Sequence, residues 1–82
     1  MNYKRIELDL TQSREDEGIE LGNGFRNFLI LKADQPIRFR LNSKTADVLY
    51  SEELQGFQGD GLFRRVYVSN DAGNGKAVLV VF

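Results

Sequence analysis

The side chains able to do chemistry in this sequence are carboxylates, amines, guanidiniums, phenols and hydroxyls. The 82 residues contain no His, no Cys and no Trp. That excludes disulfides, thiolate nucleophiles, Ser-His triads and the usual zinc or copper sites. Glu15, Asp16 and Glu17, with Glu20, form the densest acidic stretch and are the candidates for calcium. An EF-hand loop needs oxygens at alternate positions and Gly at the sixth, and that spacing is absent. A solvated loop is the plainer reading. Twelve acidic residues also offer carboxylate pairs for glycosidase-type acid/base work, but nothing in their spacing places two in one cleft. Gly56-Phe57-Gln58-Gly59-Asp60-Gly61 has the glycines of a phosphate cradle. It lacks the Lys-Ser/Thr pair and a following helix, so it reads as a structural turn. No catalytic, cofactor-binding or metal-binding residue is assigned.

The arginines and aromatics carry more information. Arg38 and Arg40 fall on one face of a strand-like stretch, whereas Arg64 and Arg65 are sequential and point to opposite faces. Arg65 is thus expected to share its side with Phe63 and Tyr67, a combination common at protein interfaces. The competing reading is cross-strand pairing with Glu7, Asp9 or Asp47. Nucleic-acid binding through Arg38, Arg40 and Arg64 runs against a net charge of −1. Nine aromatics are many for so small a core. Phe25, Phe57 and Phe82 sit at turns or at the chain end, where they either mark a contact surface or plug the ends of a sandwich.

These residues must be positioned by strands. In Lys4–Thr11, Ile6, Leu8 and Leu10 alternate with Arg5, Glu7 and Asp9, a period-2 strand with one buried face. Ile37, Phe39 and Leu41 alternate with Arg38, Arg40 and Asn42 in the same way, and Pro36 suits a strand start. Phe28–Leu31 is continuously apolar, as in a strand covered on both faces or packed at an interface. In 62–69, Val66 and Val68 share a face with Tyr67 opposite. Ala77–Phe82 is apolar throughout and is expected to be buried on both faces. Asn23-Gly24 has the preferred composition of a type I′ hairpin turn. Asn70–Gly75 reads as a second hairpin loop, Gln55–Gly61 as a third loop, and Thr11–Gly18 as a polar loop. No window carries helical periodicity over 11 residues.

The expectation is an all-β fold: a six- or seven-stranded antiparallel β-sandwich or barrel-like single domain spanning 1–82. No apolar run approaches the roughly 20 residues of a membrane helix, and no signal peptide opens the chain. A domain this small is marginal on its own, which favours oligomerisation.

Three stretches, taken together, resemble small structural proteins of tailed bacteriophages. They are Tyr3–Leu10, Ile37–Ser43, and Phe63–Asn70 leading into Gly75–Val81. The resemblance implies an all-β head or virion accessory protein, such as a capsid decoration or fibre-base subunit. It implies no catalytic residue. Partners are then other copies of itself, a trimer among the options, and other virion proteins. The location would be the virion, with the cytoplasm during assembly. The expected interface residues are Phe28, Leu29, Leu31, Tyr67, Val81 and Phe82, with Arg38, Arg40 and Arg65 as specificity contacts. The alternative is a small carbohydrate- or peptide-binding β-sandwich module. An enzyme would have to work with carboxylates, Lys, Tyr or Ser alone.

Overall fold

Six strands form one antiparallel sheet in a computed structural model that describes residues 3–53 and 56–82, with side chains described outside 56–60. They are β1 (Lys4–Asp9), β2 (Arg14–Ala33), β3 (Arg38–Leu41), β4 (Leu49–Tyr50), β5 (Gly56–Asn70) and β6 (Lys76–Val81). Their order across the sheet is β1-β6-β2-β5-β3-β4. The outer strands β1 and β4 are not paired with each other, so the sheet is open. There is no helix among the described residues.

The alternating runs form strands because one face of each can be buried. Ile6, Leu8 and Leu10 from the β1 side meet Ile37 and Phe39 from the β3 side in one hydrophobic cluster. Leu21, Phe25, Phe28, Phe63, Val66, Val68, Ala77, Leu79 and Val81 complete it. Strands near opposite edges can share a core only if the sheet coils strongly. The rings of Phe28 and Phe39 lie 5.4 Å apart although β5 runs between their strands. In a flat sheet the separation would be roughly twice the 4.8 Å strand spacing. Full burial of each such side chain contributes about 1.5–3 kcal/mol.

The coiling is produced by register shifts in the two long strands. Between Glu20↔Arg65 and Phe25↔Phe63, β2 carries extra residues; between Phe25↔Phe63 and Asn27↔Gln58, β5 does. Extra residues bend a strand and increase its twist. Gly22, at φ +82°, supplies the left-handed backbone that the first irregularity needs. The Asn23-Gly24 pair therefore does not make a hairpin. Both flanking segments pair with β5, so the chain continues as one 20-residue strand. Arg14–Gly18 belongs to that strand and not to a loop, and the backbone of 56–61 is the start of β5. The side chain of Phe57 lies outside the described residues.

Asn70–Gly75 is not a hairpin loop either. It links β5 to β6, and β2 lies between them. β6 sits between β1 and β2, which accounts for its apolar composition. Ala77, Leu79 and Val81 enter the core, and Val78 is buried on the other face, flanked in register by Glu7 and Lys32. Phe82 remains exposed.

Candidate interface

The nine expected interface residues separate into three groups. Phe28 and Val81 lie in the core and do not reach the surface. Phe28 is buried because only every second residue of the apolar run Phe28–Leu31 can face inward. Leu29 and Leu31 are accordingly exposed, at 41% and 56%. Leu31 stands at the register shift between Ile30 and Lys32. Val80, half-buried, pairs with Leu29 on one side and Arg5 on the other. Phe82 is held at the end of this face by its backbone. It exchanges two hydrogen bonds with Asn27, each of 2.9 Å, and its carbonyl also accepts from the Arg26 N–H at 3.1 Å. Tyr3, 68% exposed, precedes β1 at the same end of the sheet. Tyr3, Leu29, Leu31, Val80 and Phe82 thus form an apolar zone on the exterior of β1-β6-β2.

The third group is built around Tyr67. Tyr67 projects from β5 on the side opposite the core and is nevertheless only 9% exposed. It lies opposite Gly18 on β2 and Arg40 on β3. A Cβ on Gly18 would sit 3.1 Å from the Tyr67 ring, so the missing side chain makes room for it. The Lys44 ammonium stands 5.8 Å and the Arg65 guanidinium 6.0 Å from the ring centroid, a weak cation–π cover. Arg65 also donates to the Tyr67 hydroxyl at 3.1 Å and ion-pairs with Glu20. Arg40 donates to the carbonyls of Lys44 and Ala46 and pairs with Asp16 at 3.3 Å. Its bonds bind the 43–46 turn to β2. Arg38 lines a small cleft of about 160 Å³ with Asp16, Arg40, Tyr50 and Ser69.

Phe63 corrects the expected parity of β5. It is buried in the core with Val66 and Val68, not on the side of Arg65 and Tyr67. Both Arg64 and Arg65 are exposed, so one extra residue intervenes between Phe63 and Val66. The cause is Asn42. Its backbone turns left-handed at φ +67°, ending β3. Its side-chain amide then takes the place of the next peptide unit. Nδ2 donates to the Leu62 carbonyl at 3.1 Å, and Oδ1 accepts from the Arg64 N–H at 2.9 Å. Phe25 likewise sits in the core and not at a turn.

Two further residues had no signal beyond their presence in polar stretches. Asn70 is the one buried polar residue among the described residues. Its amide donates to the carbonyls of Gln12 and Asp71, and its oxygen accepts from Arg14. Arg14 also donates to the Asp9 carbonyl at 2.6 Å and pairs with Glu17 at 2.8 Å. Together they tie the β1–β2 turn to the end of β5.

Along β1 the charges alternate with the core residues. Arg5 pairs with Glu7 at 2.9 Å, and Lys76 pairs with the same carboxylate at 3.3 Å. These bonds, Arg5 first, hold the Glu7 carboxyl below its ordinary value. Asp9 is lowered chiefly by the Thr11 hydroxyl, then by the Thr11 N–H. Among the described residues no three acidic groups come together as a metal site, and Glu15–Glu17 alternate along a strand. No helix among them is long and apolar enough to cross a membrane. No family model matches the chain, and comparison with curated proteins and solved structures finds no significant match.

Proposed function

We propose that this chain is a non-enzymatic structural protein that works by assembling with other copies of itself and with partner proteins. The observation that carries this reading is the apolar exterior of β1-β6-β2. Tyr3, Leu29, Leu31 and Phe82 are all exposed there, beside a half-buried Val80. Water contact at such side chains is unfavourable by roughly 25 cal/mol per Å², and burying them is the usual drive for association. Several polar side chains elsewhere hold turns and strands. Arg40, Arg65 and Arg14 each anchor a neighbouring segment, which makes Arg40 and Arg65 structural before they are specificity contacts.

The likeness of Tyr3–Leu10, Ile37–Ser43, and Phe63–Asn70 with Gly75–Val81 to tailed-phage structural proteins gives the assembly its setting, a virion head or fibre accessory subunit. Light scattering at high micromolar concentration tests the assembly. A mass well above the 9.4 kDa monomer is expected. Leu31→Asp, at a position 56% exposed, should lower that mass. A strictly monomeric wild type overturns the reading. The neighbouring genes test the setting: portal, capsid or tail genes support it, and a metabolic operon overturns it.

A further inference from the structure

Which surface joins the first two copies can be read from β1. Among the described residues it is an edge strand, paired only with β6. The Leu10 N–H donates to the Gly75 carbonyl, which fixes the parity of the ladder. In an antiparallel pair, hydrogen-bonded positions alternate. Leu8, Ile6 and Lys4 therefore bond to β6, and Arg5, Glu7 and Asp9 direct their N–H and C=O groups away from the sheet. Asp9 is already capped, since Arg14 occupies its carbonyl and Thr11 its carboxylate. The free edge is thus centred on Arg5 and Glu7.

We propose that two copies of the chain pair β1 to β1 in antiparallel fashion about a two-fold axis at Ile6, an inference that rests on the assembly reading above. In that register Arg5 of each copy lies opposite Glu7 of the other, as a hydrogen-bonded pair. Ile6 meets Ile6 at the axis, where a non-hydrogen-bonded pair brings side chains closest. Charge selects this register. A slip of one residue sets outward-directed groups against inward-directed ones and gives no ladder. A two-step slip one way sets Arg5 against Arg5. The opposite slip sets Glu7 against Glu7 and matches Arg5 only with the capped Asp9. Arg5 and Glu7 side chains are each about half exposed; within one copy they pair with each other, and Glu7 also with the equally exposed Lys76, so an exchange of partners comes at little cost. Charged residues ordinarily protect an edge from pairing. Here their alternation makes the edge complementary to itself in one register and repulsive in its neighbours. The product is a continuous sheet of two copies that places two apolar exteriors side by side.

The test is charge reversal followed by sedimentation velocity, with far-UV circular dichroism to check the fold. R5E and E7R should each weaken dimerisation by about tenfold or more, because two attractive pairs become repulsive. The two variants mixed in equal amounts should form a heterodimer, since every cross-pair is again opposite in sign. The double variant R5E/E7R should dimerise as the wild type does. Single variants that weaken association but fail to pair when mixed overturn the register. A wild type that assembles and is indifferent to R5E and E7R overturns the edge proposal while leaving the assembly reading in place. A monomeric wild type overturns both.

Discussion

Replacing Asn42, the exposed residue that follows β3, by Ala should cost this protein far more than its exposure alone implies. Two effects add. The side chain makes two hydrogen bonds to the backbone of β5, to the Leu62 carbonyl at 3.1 Å and from the Arg64 N–H at 2.9 Å. Each contributes about 0.5–1.5 kcal/mol net, with the lower half apt here because the site is exposed. The backbone at φ +67° adds about 1 kcal/mol when the residue is Ala, which lacks the local bonding that lets Asn adopt that region. The sum is about 2–3 kcal/mol, or about 10–20 °C in Tm for a domain of this size. Asn42→Asp separates the terms. It keeps the acceptor for Arg64 and tolerates the backbone, but it loses the donor to Leu62, and should cost about 1 kcal/mol. Urea denaturation gives both numbers. Hydrogen exchange at the Arg64 amide gives an independent readout, faster in N42A and little changed in N42D. If N42A loses less than about 0.5 kcal/mol, or N42D loses as much as N42A, the amide does not replace a peptide unit and the explanation for the β5 parity falls.

Gly75→Ala should destabilise by about 2–3 kcal/mol, since the backbone is at φ +83° and a Cβ would collide with the Asp34 side chain. Gly22→Ala has the same backbone problem in open space and should cost only about 1 kcal/mol, so thermal melts of the two variants separate strain from crowding. Asn70→Ala should cost about 2–3 kcal/mol by urea denaturation, as it strips bonds from Arg14 and Gln12 at a fully buried position. Glu7 and Asp9 are both lowered from ordinary values of 4.5 and 3.8. Their contribution is fully present above those values and is lost as pH falls through the lowered ones. Melts of Glu7→Gln and Asp9→Asn should therefore match the wild type more closely in acid than at neutral pH; an unchanged gap would refute the linkage.

The strands with strict alternation were legible because burying one face requires it. Ile6-Leu8-Leu10 and Ile37-Phe39 entered the core as their spacing demands. The long strand β2 was not legible. Its polar first half resembles a loop because β5 covers only one edge and the outer face meets water. Gly22-Asn23-Gly24 resembles a turn because a bulge and a hairpin both need left-handed backbone. The inner placement of Phe63 depended on Asn42, a residue 21 positions away, and no local window contains that information. The apolar run Phe28–Leu31 suggested contact surface at Phe28, Leu29 and Leu31, of which the pleat exposes Leu29 and Leu31 and buries Phe28. Arg40 and Arg65 looked like specificity contacts because their sequence neighbourhood hides Asp16 and Glu20, the carboxylates that hold them.

The strand order also constrains how the chain can acquire its fold. Only β3 and β4 are neighbours both in sequence and in the sheet, and they share two residue pairs. Every other ladder joins segments separated by at least one intervening strand, and β1, first of the six in chain order, waits for β6, the sixth. Local zippering of hairpins can therefore build almost none of this sheet. Loop-closure entropy must be overcome before any long ladder forms, which sets folding in the range of about milliseconds to seconds. During that interval Ile6, Leu8 and Leu10 have no sheet to join. The strand whose outer edge is suited to a second copy is thus also the one whose inner face is covered last.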